Sequence, residues 1–134
     1  MPEFSKRLEK PSGRQVDMTD PKNRLELAAE KFANEMGLGK EVYLKLLVTA
    51  MTDLQKDVDL LRAAIAEGNL ERVQQISHRI KGTSSNFRLT DIMVPAAELN
   101  DRSKKGTDPS SYPALMASIE SAYAVYQQGL AESC

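Results

Sequence analysis

His78 is the one histidine in the chain, and it stands in the stretch Ile76-Ser77-His78-Arg79-Ile80-Lys81-Gly82-Thr83-Ser84-Ser85-Asn86. A neutral imidazole is a nucleophile, and histidine's reference pKa of about 6.5 leaves the ring mostly neutral near pH 7. Such a ring can accept a phosphoryl group, and the N–P bond formed has a high enough transfer potential to pass the group on. Leu70, Val73, Ile76, Ile80 and Phe87 recur at steps of three, three, four and seven, which is one stripe of a helix. His78 lies two residues from both Ile76 and Ile80, so at about 100° per residue it points away from that stripe. An exposed imidazole is expected.

Gln74 and Gln75 precede it on that face by one turn, and Lys81 and Gly82 follow by one turn, with Ser85 a turn further. Glycine inside a helix costs about 1 kcal/mol relative to alanine, so Gly82 needs a reason. Close approach of another molecule is one, because a residue without a side chain leaves the imidazole edge open. Lys81 puts a positive charge where an added phosphoryl group would sit.

The run Ser77-His78-Arg79-Ile80-Lys81-Gly82-Thr83-Ser84-Ser85 resembles the signature of histidine phosphotransfer (HPt) domains: a histidine, two residues, lysine and glycine, then small residues. The resemblance continues without gaps to Asn100, and the helix spacing from about Lys22 to Leu130 fits the family. It implies that His78 is the phosphorylated residue, that Lys81 steadies the phosphoryl group, and that Gly82 permits docking. Ser85 is expected to add a hydrogen bond, and Asn100 to bring a polar amide from the next helix beside the histidine. Gln74, Gln75 and Arg79 are candidate docking residues. The partner implied is the receiver domain of a response regulator or of a hybrid sensor histidine kinase. That partner supplies the phospho-aspartate and the Mg²⁺, so the chain needs no cofactor and no autonomous catalysis of its own. One departure stands out: members usually place an apolar residue and then glycine where this chain reads Phe87-Arg88-Leu89.

The elements that must position His78 are all helical. Asp20-Pro21 is an N-cap with proline at the first helical position, and Leu25, Ala28, Ala29, Phe32 and Met36 follow up to Gly37-Leu38-Gly39. Tyr43, Leu47, Met51, Leu54, Val58, Leu61 and Ile65 describe a longer helix, its stripe broadened by Leu46, Val48 and Leu60. Glu67-Gly68-Asn69 is a stop followed at once by a new cap, which forces the His78 helix to run antiparallel beside the long one. Leu89, Ile92, Met93, Ala96 and Leu99 indicate a fourth helix capped near Thr90 or Asp91, with Pro95 predicting a later or irregular start. The last helix is capped by Ser110 or Ser111 and striped by Tyr112, Met116, Ile119, Tyr123, Tyr126 and Leu130. The expected fold is all-α, an antiparallel up-down four-helix bundle with a short additional N-terminal helix over residues 20–134. Residues 1–19, polar and interrupted by Pro2, Pro11 and Gly13, read as a disordered leader.

Composition narrows the alternatives. A length of 134 residues fits one domain, and 41% hydrophobic with 28% charged residues is ordinary for a globular chain. A net charge of −1 gives no reason to expect nucleic acid or an anionic membrane as partner. No apolar run approaches the roughly 18 residues of a membrane span. With one histidine and the lone Cys134, neither an internal disulfide nor a zinc site of the usual ligands can form, and a cytoplasmic monomer is expected. The competing reading is a helical adaptor that binds a receiver or kinase without phosphotransfer. A kinase or phosphatase is disfavoured because nothing in the chain resembles a nucleotide site.

Overall fold

The structure is a computed structural model that describes residues 20–106 and 108–133, so the segment read as a leader lies outside the described residues. It contains α1 (Pro21–Met36), α2 (Lys40–Glu67), α3 (Leu70–Asn86), α4 (Thr90–Lys105) and α5 (Tyr112–Ser133), the last entered through a 3₁₀ turn at Pro109–Ser111. Among the described residues there is no strand. The fold is all-α, as the periodicity predicts.

Local chemistry sets most helix ends. The Asp20 side chain accepts a hydrogen bond from the Lys22 backbone N–H at 3.0 Å, and Gly37 leaves the helix with φ 72°. Gly68, at φ 70°, closes α2, and the Asn69 side chain accepts from the Arg72 N–H at 3.2 Å to open α3. Two residues therefore reverse the chain, and α3 must fold back along α2.

Cross-helix bonds record the antiparallel register. Tyr43 pairs with Phe87 and Asp57 with Arg79, so partners on α3 fall in number as those on α2 rise. The α3–α4 contact is the most extensive, and α5 closes the ring against α4 and α2. Leu47, Leu54, Leu61, Ile76, Ile80, Ile92, Leu99 and Ile119 fill the interior with no or almost no exposure. The additional helix α1 packs on α5 and α2 and adds Leu25 and Phe32 to that core.

Four details differ from the sequence expectation. Leu46, Val48 and Leu60 are 41–49% exposed. The buried side of α2 runs through Tyr43, Leu47, Ala50, Leu54, Val58 and Leu61, which leaves those three on its shoulders. Leu70, at the first position of α3, is also exposed. α4 starts at Thr90 with no side-chain cap, and Pro95 sits inside it. Its first turn is tight, since the N–H groups of Ile92 and Met93 both reach the Leu89 carbonyl at 3.0 Å. Finally, Asp108 caps the 3₁₀ turn before α5 by accepting from the Ser110 N–H at 3.0 Å, where Ser110 or Ser111 was the expected cap.

Candidate functional site

His78 is exposed at the middle of α3, as its offset from the Ile76–Ile80 stripe predicts. At about 100° per residue, Gly82 lies about 40° to one side of it on the helix surface and Lys81 about 60° to the other. The two flanks face different neighbours.

On the Gly82 flank an open groove runs between α2 and α3. His78, Arg79 and Gly82 form one wall, and Asp53, Lys56, Asp57 and Leu60 of α2 form the other. Arg79 bonds the Asp57 carboxylate at 2.7 Å, and that bond raises its pKa above the usual arginine value. Asp57 is only 15% exposed at its side chain. Arg79, a candidate docking residue, is therefore also a strut between the two helices.

The reason for Gly82 is not intramolecular. A Cβ built there meets nothing within 4 Å, and the residue is helical. Neither the backbone nor the packing of this chain requires glycine at that position.

On the Lys81 flank lies α4. Lys81 is partly exposed, as is Gln74, whereas Gln75 and Ser85 are exposed. Asn100 is 2% exposed, and its side-chain amide donates to the Gln74 backbone carbonyl at 2.9 Å. The sequence expectation set this amide beside the histidine. In the structure it faces the helix backbone one turn earlier, because position 100 belongs to the buried side of α4 with Ala96 and Ser103.

Ser77 and Ser84 are fully buried, which a hydrophobic stripe does not reveal. Each hydroxyl returns to its own helix: Ser77 donates to the Gln74 carbonyl at 3.2 Å and Ser84 to the Ile80 carbonyl at 2.6 Å. Small self-satisfied side chains let α4 lie close against α3 without orphaned hydroxyls. The α2 wall was equally hidden, since it depends on which turns of two distant segments lie side by side.

Several other basic side chains are ion-paired. Arg88 pairs with Glu35, Arg102 with Glu98, and Lys105 with Asp101. Among the described residues no group of three or more His, Cys, Asp or Glu side chains converges as a metal site would require. Nor is any helix among them long and apolar enough to cross a membrane.

The turn after α3 resolves the missing glycine. Arg88 itself adopts the left-handed backbone, φ 59°. Its guanidinium bonds the Ser85 carbonyl at 2.9 Å and the Asn86 carbonyl at 3.1 Å and pairs with Glu35, so the side chain caps the helix its own backbone ends.

A family model for the Hpt domain matches residues 45–129, more than half of the 134. The chain belongs to the Hpt domain family. Hpt domains are phosphoryl carriers of phosphorelays rather than catalysts, and they work with receiver domains. The matched span of this Hpt domain starts within α2, contains the whole of α3 and α4, and ends in α5. Comparisons with curated proteins and with solved structures gave no match.

Proposed function

We propose that this Hpt domain accepts a phosphoryl group on His78 from the phospho-aspartate of a receiver domain and relays it to a second receiver, as a cytoplasmic monomer. The observation that carries this reading is the open edge of His78: a helical glycine one turn away whose Cβ would meet nothing. A receiver must bring its aspartate within bonding distance of the ring, and a side chain at position 82 would stand in the way.

In the transfer, the unprotonated ring nitrogen donates its lone pair to phosphorus while the acyl P–O bond breaks. The receiver's carboxylate leaves with the electron pair, and the other ring nitrogen keeps its proton. The receiver, with the Mg²⁺ it would hold, would supply charge neutralisation of the phosphoryl oxygens from one side. Lys81 does so from the other, and the Ser85 hydroxyl donates to an equatorial oxygen. Gln74, Gln75 and Arg79 border the docked face.

The test is intact mass after mixing with a panel of receiver domains precharged by acetyl phosphate and Mg²⁺. The expected result is a gain of one phosphoryl group, acid-labile and alkali-stable, on the His78 peptide. His78→Gln abolishes the gain and leaves the melting temperature unchanged, because an exposed side chain contributes little to the core. Binding without any gain across the panel would overturn the relay and leave an adaptor.

A further inference from the structure

Among the described residues, the Asn100 amide is a buried polar group that reaches across to another helix and has no role in the chemistry. We propose that Asn100 is a positioning residue, setting the rotation of α3 about its axis and hence the direction in which His78 projects. The proposal rests on the relay reading above.

Gln74 stands four residues before His78, so in an α-helix its carbonyl is the acceptor for the His78 backbone N–H. The same carbonyl receives the Ser77 hydroxyl at 3.2 Å and the Asn100 amide at 2.9 Å. A carbonyl has two lone pairs, and helix and serine already fill them. The acceptor therefore has no need of Asn100. An aliphatic residue at position 100 would seal the helix contact without burying an amide at all. What the amide adds is direction, because it grips α3 by its backbone in the turn that ends at His78.

A second tie grips the same turn from the opposite flank, the Arg79–Asp57 pair at 2.7 Å. The Arg79 side chain is half-exposed, so that pair is open to solvent and screening. The Asn100 side chain is 2% exposed and its bond joins two neutral groups, so it is far less open to screening. Of the two, it is the one able to define an angle.

The leverage is large. Side-chain tips lie roughly 5–6 Å from a helix axis, so a rotation of about 10° moves an imidazole by about 1 Å. A misplacement of that size costs up to about 100-fold in an oriented reaction. The hydrogen bond of the Asn100 amide goes to the Gln74 carbonyl rather than to the ring.

The experiment uses whichever precharged receiver phosphorylates the wild-type chain, with transfer rates followed against receiver concentration. Asn100→Leu is expected to lower the saturating rate about 10- to 100-fold. The half-saturating receiver concentration should stay within about twofold. Phosphoramidate, which labels an exposed imidazole without docking, should label His78 as fast as in the wild type. Asn100→Gln, which keeps an amide donor, should recover part of the rate. If leucine does not fit, Asn100→Ser, too short to reach the carbonyl, carries the same expectation. A saturating rate within twofold of wild type in the folded variant would overturn the proposal. So would an equal loss of phosphoramidate labelling, which would mean that the amide acts on the ring itself. A wild-type chain that no receiver charges would remove the relay reading, and this proposal with it, before any variant is made.

Discussion

Gly82 leaves out a side chain at a helical position where one would fit, so the molecule forgoes stability there. Gly82→Ala is expected to gain about 0.5–1 kcal/mol, seen as a rise of a few degrees in melting temperature. Gly82→Leu should keep the fold and slow phosphoryl uptake from a receiver by obstructing its approach. An unaffected rate in the leucine variant would reduce Gly82 to a neutral surface position. Arg88 makes the complementary argument. Its left-handed backbone would suit glycine, yet its side chain bonds the Ser85 and Asn86 carbonyls at the end of α3. Arg88→Ala loses those bonds and keeps the strained φ, whereas Arg88→Gly loses the bonds and relieves it. Denaturant midpoints should therefore place the alanine variant below the glycine variant by about 1 kcal/mol. The buried Tyr112 hydroxyl has no hydrogen-bond partner, and nothing in the site explains it. Tyr112→Phe should accordingly be neutral or stabilising in the same assay.

Between elements, the decisive contacts are close approaches and cross-helix bonds. α5 meets the start of α1 at Gly129, where a Cβ would lie 2.5 Å from the Pro21 carbonyl oxygen. That atom is backbone, so it cannot swing aside. Gly129→Ala should cost about 1–3 kcal/mol and lower the melting temperature, without altering phosphoramidate labelling of His78 on the remote α3. At the end where α3 turns into α4, Phe32, Tyr43 and Phe87 pack ring on ring, with centroids 4.9–6.0 Å apart. The Tyr43 hydroxyl donates to the Phe87 carbonyl at 2.7 Å, so α2 caps α3 from the side. This cluster and the two ties around His78 hold α3 at its turn and at its middle.

Across the molecule, three tyrosines among the described residues titrate above their usual range, alongside the ion-paired Arg62 and Arg79. Burial and the nearby Asp91 carboxylate push Tyr126 up to about 12. Burial raises Tyr43 further still and also raises Tyr123. Their unfolded value is about 10, so above that pH the unfolded chain releases protons that the native chain retains. Stability that depends on these phenols is complete below about pH 10 and declines as pH rises toward 12. Absorbance near 295 nm should show delayed tyrosinate formation ending in cooperative unfolding, and Tyr126→Phe should blunt the decline. A transition at the free-tyrosine pH with the fold intact would contradict the buried hydroxyls.

The helices, their order and the exposure of His78 follow from near-neighbour physics. A step of three or four residues, an Asp-Pro start and a Gly-Asn junction act within one or two turns, so Tyr43, Ile76, Ile80 and the caps at Asp20 and Asn69 are determined by sequence alone. The Lys-Gly step beside His78 is legible for the same reason. Only the tertiary structure decided which turn of α2 lies beside which turn of α3, and so brought Asp53, Lys56, Asp57 and Leu60 to the histidine. It alone turned Asn100 inward to the Gln74 carbonyl, buried Ser77 and Ser84, left Leu46 and Leu60 outside, and let Arg88 stand where glycine was expected. Periodicity records which side of a helix is apolar. It does not record how far two helices slide along one another or how closely they approach, and those distances are set by packing among residues far apart in the chain.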